Sequence, residues 1–194
     1  MARCTRAAIA VALFVLPVAA MCQQSQKPHS PNGSTESLPT GAADPELATF
    51  TRAVALQARP DQLEYFHSIV DRTDAALQES RELQQLGPEA NNVSTMNAKS
   101  LQLRDTIDDI DHYNQRFLVS FSKFQESELK PLTKQVRKSH RYVAKEWRNV
   151  GELMEPGKTV PAKLMSAAAN LEKALSDFRT DQIRLGREMG IQSK

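Results

Sequence analysis

The chain is poor in cysteine, glycine and catalytic motifs, and each shortage excludes a class of protein. Its only cysteines are Cys4 and Cys22, so a domain that lies beyond them has no disulfide and is stabilised by packing alone. Seven glycines are too few for the tight turns of a hairpin-rich β protein, and no stretch alternates apolar and polar residues as a strand does. Neither a Gly-x-Ser-x-Gly motif nor a glycine-rich phosphate loop occurs, so we identify no catalytic residues and expect no enzymatic activity.

Long apolar runs are also lacking, except at the N-terminus. Two arginines precede an uncharged apolar run over residues 7–21, which is shorter than the about 20 residues that a membrane-spanning helix needs. This pattern predicts a cleaved signal peptide over residues 1–22, with the mature protein periplasmic or secreted and without a transmembrane segment. Lipid anchoring at Cys22 is the alternative, which we disfavour because Met21 stands where such signals carry a small residue.

A strong net charge is absent as well. The whole chain carries 25 Lys and Arg against 23 Asp and Glu, and the surplus of two cations lies in residues 1–22. A formally neutral mature chain gives no overall electrostatic argument for nucleic acid as a partner. Residues 23–43 are rich in Ser, Pro and Gly and predict a flexible linker, which leaves residues 44–194 as a single domain.

What the domain does contain is apolar residues that recur with the helical period of three to four. This period predicts a short N-terminal helix that begins at Pro45 and four long helices over residues 60–86, 93–128, 131–154 and 161–190. Isolated helices of this length are marginal in water, so we expect an all-α, antiparallel four-helix bundle with coiled-coil-like seams. The alternative is that the second and third long helices form one helix kinked at Pro131.

Three segments carry a resemblance to known proteins. The segments "RAVALQARPDQ" (52–62), "SFSKFQESELKPLTKQ" (120–135) and "LSDFRTDQIRLGREMGI" (175–191) resemble parts of uncharacterised, predicted secreted helical proteins of soil bacteria. The resemblance implies a helical fold and an exported location, and it implies no activity. The stretch "ARPDQ" also resembles the Leu-Thr-x-x-Gln motif of small periplasmic chaperones of the Spy and CpxP type, but it lacks the Leu-Thr pair.

Polar residues interrupt the apolar seams, and counting from the helix ends puts several of them at one level of the bundle. The candidates for this layer are Glu64, His67, Asn114, Tyr142 and Gln182. We expect a structural layer that fixes the register of the helices, and the alternative is a small-ligand or ion site in the core. The Glu64-x-x-His67 motif resembles one element of a di-iron bundle, but the second Glu-x-x-His is missing, so we expect no metal site and no cofactor.

The helix predicted over residues 131–154 carries the one strongly basic face. Its cations are Lys134, Arg137, Lys138, Arg141, Lys145 and Arg148, with Lys130 just before them. One hypothesis is that this face binds an anionic envelope component or an acidic protein. The interpretation that we favour from the sequence is charge balance within the bundle by the acidic residues of the first two long helices, with Asp111 level with Arg148. No aromatic residues alternate with the cations as a single-stranded nucleic-acid site requires.

Taken together, these features predict an exported, non-enzymatic helical bundle that serves as a periplasmic interaction, chaperone-like or structural module with an unknown partner. The alternative from another class is a four-helix bundle that binds a small ligand or a metal in its core.

Overall fold

A computed structural model describes residues 45–86, 93–154 and 160–192, which belong to one compact unit. The predicted signal peptide and linker lie outside the described residues. Every regular element within them is an α-helix, which confirms the all-α class. The six helices are α1 (Pro45–Leu56), α2 (Pro60–Gln85), α3 (Val93–Val119), α4 (Lys123–Glu128), α5 (Lys130–Leu153) and α6 (Pro161–Glu188).

The four long helices α2, α3, α5 and α6 alternate in direction, as an antiparallel bundle requires. Arg179 of α6 lies against Asp74 near the middle of α2, and Arg81 further along α2 lies against the earlier Glu172 of α6. The closest helix pairs are α5–α6, α2–α3 and α2–α6, whereas α3 and α5 approach each other less closely. Helix α3 is therefore held mainly by α2 and helix α5 mainly by α6, and the contact between α2 and α6 joins these two pairs.

The apolar seams form the core of this body. Phe66 of α2 and Phe117 of α3 pack with their ring centroids 6.1 Å apart, and both are almost fully buried. A large apolar side chain gains about 1.5–3 kcal/mol when it is fully buried. The other large side chains with the least exposure are Phe178, Ile69, Leu83, Met96, Leu103, Ile110, Leu164, Leu171, Leu175 and Leu185.

Helix α3 ends at Val119, well before the predicted end at residue 128, because a new helix starts after Ser122. The Ser122 hydroxyl accepts a hydrogen bond from the Gln125 N–H at 3.2 Å, and the Gln125 side chain accepts one from the Ser122 N–H at 3.1 Å. This reciprocal capping box satisfies N–H groups that the start of a helix leaves unpaired. Helices α3 and α5 are therefore separate, and the alternative of one long helix kinked at Pro131 is wrong.

Helices α1 and α4 lie where α2 begins and α6 ends, and we call this the α1 end of the bundle. The Ala58 N–H donates a hydrogen bond to the Met189 carbonyl at 3.0 Å, and Arg52 of α1 forms an ion pair with Glu128 at 2.7 Å. Leu56 is the buried residue of α1, whereas residues 46–55 are all exposed. Helix α1 is thus attached to the bundle mainly through its last turn and α4.

Candidate functional site

The cationic face of α5 consists of Lys134, Arg137, Lys138, Arg141, Lys145 and Arg148, and all of them are exposed. With 3.6 residues per turn, these positions fall within an arc of about 100° around the helix. The opposite side of α5 carries the buried residues Val136, Ser139, Val143 and Val150. Burial of that side against the bundle therefore turns all six cations toward the solvent.

These cations have few acidic neighbours within the described residues. Of these six, Lys145 alone has a carboxylate of a described residue within 4.0 Å, and its Nζ lies 3.7 Å from Oε1 of Glu146. The Lys145 side chain is 66% exposed, and Glu146 also accepts a hydrogen bond from Asn149 at 2.8 Å. This pair neutralises at most one of the six cations. The cationic face consequently presents most of its charge to the surroundings.

Among the described residues, no carboxylate of α2 or α3 lies within 4.0 Å of this face, so the expected charge balance is not made by direct ion pairs. Several of those acids pair with other cations, and Asp111 lies beside His140 and not beside Arg148. The register accounts for the error: because α3 ends at Val119 and not at residue 128, α5 is displaced along it. The relevant contacts are Arg72–Asp109 (3.2 Å), Lys99–Glu82, and Asp111 Oδ1 to His140 Nε2 (3.4 Å).

The polar interruptions of α3 and α6 meet in the core. Gln182 Nε2 donates a hydrogen bond to Asn114 Oδ1 at 2.7 Å, and neither side chain is more than 3% exposed. Oε1 of Gln182 is buried with no hydrogen-bond partner among the described residues. An unsatisfied buried acceptor costs stability, so the hydrogen bond links α3 to α6 at some energetic cost.

Among the described residues, the other three candidates of the layer form no hydrogen bond to this pair. Glu64 is exposed and Tyr142 is 51% exposed, so neither belongs to the core. His67 is half-buried beside the edge of the Phe66 ring, and its Nε2 has no partner among the described residues. Counting residues does not give the angle of a side chain around its helix. The exposed Glu64 and Tyr142 are therefore removed from the predicted core layer, and Asn114 and Gln182 are the two members that a hydrogen bond joins.

His140 is a partly buried polar residue that sequence reasoning missed. Its ring packs on Phe178 with the centroids 5.4 Å apart, and Asp111 lies at the solvent side of the same imidazole. Burial lowers the pKa of His140 below its usual 6.5, and the negative charge of Asp111 partly opposes that effect. The side chain is therefore neutral at pH 7. The sequence held one signal for this residue. The adjacent Ser139 interrupts the apolar seam of α5 and marks a polar position on the buried side of the helix beside His140.

A polar groove runs along the boundary of α5 and α6, next to the cationic face. Its volume is about 320 Å³, and a second depression of about 420 Å³ continues from it past Tyr142 and Asp177. Lys138 lies on one side and the carboxylates of Asp177 and Asp181 lie on the other. The groove thus forms one border of the cationic face. Its lining residues are Gln135, Lys138, Ser139, Tyr142, Ala174, Asp177, Thr180 and Asp181.

Among the described residues, no three His, Cys, Asp or Glu side chains come together in a way that could hold a metal ion. None of the helices in those ranges combines the length and the apolar character that crossing a bilayer demands. Comparisons with protein-family models, with curated proteins and with solved structures found no match for this chain.

Proposed function

We propose that this protein is an exported, non-enzymatic helical bundle that binds an anionic component of the cell envelope through the cationic face of α5. One observation carries the proposal: six exposed cations share one side of a single helix, and the described residues supply one of them with a carboxylate. Such a concentration of one charge attracts partners of the opposite charge and speeds their association.

The geometry of the face favours an extended partner. From Lys134 to Arg148 the helix rises about 21 Å at 1.5 Å per residue. That length is about twice the distance over which salt screens exposed charges. A small anion would therefore interact with one part of the face, whereas a membrane surface, a charged polysaccharide or an acidic protein would engage all of it. Because α5 is held rigid by the bundle, little ordering of the backbone opposes binding.

The exported location rests on the sequence. The basic start and the apolar run over residues 7–21 are typical of a secretory signal, and the resemblance to predicted secreted helical proteins points the same way. The role that fits an exported cationic bundle is an interaction or chaperone-like module.

The test compares two variants of equal charge as baits. The first replaces Lys134, Lys138 and Lys145 by Gln, and the control replaces three exposed cations outside the face, Arg104, Arg116 and Lys163, by Gln. Each protein is immobilised and exposed to detergent-solubilised envelope, and the retained proteins, phospholipids and polysaccharides are quantified at low and high salt.

The wild-type protein and the control are expected to retain the same anionic component, and the α5 variant is expected to lose it. Retention should fall as salt rises, since exposed charges are screened. Equal retention by all three proteins, together with a lower melting temperature of the α5 variant alone, would contradict the proposal and restore the charge-balance interpretation.

The buried oxygen of Gln182 supports a second candidate function, a small-ligand site in the bundle core. This oxygen is an acceptor without a partner among the described residues, beside Asn114. Mass spectrometry of the protein under non-denaturing conditions tests it. A ligand bound to the wild-type protein and lost when both amides are replaced by Leu would support this candidate, and identical masses before and after denaturation would exclude it.

A further inference from the structure

Helix α1 is the most exposed element of the described chain, and one of its sides is apolar. Leu47, Phe50 and Val54 recur at helical spacing, and they are 64%, 68% and 54% exposed. We call these three residues the α1 stripe. Phe124 of α4, which is 42% exposed, extends the apolar surface across a shallow groove of about 560 Å³ between α1 and α4. A contiguous apolar surface of this kind marks an interaction site in a protein that is stable in water.

The bundle itself does not cover the stripe. Helix α1 is oriented by the Arg52–Glu128 ion pair and by the hydrogen bond from Ala58 to Met189, and its residues 46–55 remain exposed in that orientation. A helix of 12 residues is marginal in water without packing. Helix α1 would therefore gain stability if the α1 stripe packed against a surface outside the described chain.

The size of the stripe argues against a second copy of the chain as that surface. A specific protein interface buries about 800 Å² on each partner, usually from 20–30 residues. The three side chains of the α1 stripe and the edge of α4 offer far less apolar area than such an interface needs. Insertion into a lipid interface has no such threshold, because it needs only an apolar side that enters the boundary between headgroups and acyl chains.

Charge and chain length both point to a membrane. Lys123 and Lys130 are exposed at the α1 end, and within the described residues neither has a carboxylate within 4.0 Å. Lys134, the first residue of the cationic face, follows one turn later. While the predicted signal peptide is attached, the linker predicted over residues 23–43 would hold α1 at a root-mean-square distance of about 25 Å from the bilayer.

We infer that the α1 end docks on an anionic phospholipid bilayer, with the α1 stripe inserted at the interface and the nearby lysines against the headgroups. This inference rests on the proposed function and specifies the anionic partner as lipid. Apolar insertion and electrostatic attraction together give stronger membrane binding than either contributes alone.

The experiment measures binding to vesicles of phosphatidylglycerol and phosphatidylcholine, with pure phosphatidylcholine as the neutral comparison. The stripe variant replaces Leu47 and Phe50 by Gln, a good helix former. Its matched control replaces Leu101 and Val160, which are 53% and 44% exposed elsewhere on the bundle, by Gln. The α5 variant with Lys134, Lys138 and Lys145 replaced by Gln is measured in parallel.

A fluorescent reporter shows which part of the protein enters the lipid. Trp147 is the single tryptophan of the chain, so Trp147→Phe with Phe50→Trp places the only indole on the stripe. The matched reporter carries Leu101→Trp in the same background. Anionic vesicles are expected to shift the emission of Trp at position 50 to shorter wavelength and to leave that of Trp at position 101 unchanged.

We expect the stripe variant to bind anionic vesicles at least about tenfold more weakly than wild type. The matched control should bind like wild type, and the α5 variant should lose the salt-dependent part of binding. Vesicle binding that depends on the α5 lysines but not on the stripe, with no emission shift, would overturn the inference and leave the proposed function standing. Binding that depends on the stripe but not on those lysines would uphold insertion and overturn the proposed function.

Two other results would also overturn the inference. One is an absence of vesicle binding while envelope capture still depends on the cationic face, which would identify a partner other than lipid. The other is self-association, seen by light scattering, that the stripe variant alone abolishes, which would identify a second copy as the occupant.

Discussion

Gly186 shows how closely single residues fit in this bundle. It lies in the interior of α6, where glycine normally weakens a helix, and it is buried against the ring of Phe66. A Cβ atom at this position would lie 2.6 Å from Cζ of Phe66, which is itself 1% exposed. The absence of a side chain therefore admits the aromatic ring that joins α2 to α3 and α6.

Gly186→Ala is accordingly expected to lower the free energy of unfolding by about 1–3 kcal/mol, because the buried Phe66 ring would have to shift to make room for the new methyl group. Gly151→Ala is the matched control. Nothing lies within 4 Å of a Cβ at that exposed position of α5, so alanine should stabilise the protein by about 0.5–1 kcal/mol. Urea unfolding measures both, and a stabilising Gly186→Ala would show that the contact is looser than described.

His140 makes stability depend on pH in a definite direction. Because its pKa is lowered from 6.5 by burial, the unfolded chain binds a proton more readily than the folded one. The stability that the neutral His140 side chain contributes is complete above pH 6.5. It is lost as the pH falls through 6.5 toward the lower pKa of the folded state. We expect the free energy of unfolding of wild type to fall more than that of His140→Gln between pH 7.5 and 5.5.

This window lies above the usual pKa values of the paired carboxyls. The pKa of Glu172 is lowered from 4.5 by hydrogen bonds from Gln84 and Arg81, and that of Glu82 is lowered by Lys99. Those carboxylates keep their charge down to pH 5.5, so they contribute equally to the free energy of unfolding of wild type and of His140→Gln. Parallel losses in wild type and His140→Gln would assign the pH dependence to another group.

At the scale of the element, the link between α1 and the bundle depends on Gln125. This side chain is 2% exposed and accepts hydrogen bonds from the Ser122 N–H and from Nε2 of Gln62, both at 3.1 Å. Its own amide donates to the Leu56 carbonyl at 3.4 Å. One residue thus caps α4 and holds the ends of α1 and α2 beside it.

Gln125→Ala should lower the free energy of unfolding by about 1–3 kcal/mol and speed proteolytic cleavage around α1, since buried N–H and C=O groups lose their partners. Gln115→Ala removes a single exposed hydrogen bond to Asp111 and should change stability by less than about 0.5 kcal/mol. If the two variants were cleaved at equal rates, Gln125 would not be what orients α1.

The extents of three long helices were predictable from the sequence, because a proline marks each start within one residue and the helical period continues through the few polar interruptions. The end of α3 was not predicted, since Phe121 and Phe124 continue the period by spacing alone. Phe121 is buried, but Phe124 is 42% exposed on α4. The Ser122-x-x-Gln125 pattern was the available signal, because it is the capping box of a new helix.

At the scale of the whole molecule, Asn114 and Gln182 link two parallel helices across the core. Replacing Asn114 alone by Leu leaves the Gln182 amide without a partner and should cost about 1–3 kcal/mol. Replacing both by Leu should be less costly than that single change, because no buried polar group remains. Urea unfolding gives the energies, and light scattering shows whether the oligomeric state stays that of wild type.

If the pair fixes register, the double variant will be stable but altered in oligomeric state. A double variant that keeps its oligomeric state and gains stability would show that the amides are retained for another purpose, such as a ligand. A double variant less stable than Asn114→Leu would exclude the pairing itself.

The direction of each helix and the level shared by Asn114 and Gln182 followed from the sequence, because apolar seams must face one another and short connections reverse the chain. The angular position of surface groups did not follow. Tyr142 and Glu64 were predicted in the core layer but face solvent, and the partner of Asp111 depended on where α3 stops. A few residues of error at one helix end are enough to change every contact of the next helix.

The pairing of the first long helix with the last one affects the order in which the chain becomes stable. Helix α6 is the last of the described helices to be synthesised, and contacts such as Arg179–Asp74 join residues 105 positions apart. Before α6 is made, α2 and α5 both lack the neighbour that connects them. The core of the bundle is consequently incomplete until α6 has left the ribosome, so its folding cannot proceed helix by helix along the growing chain.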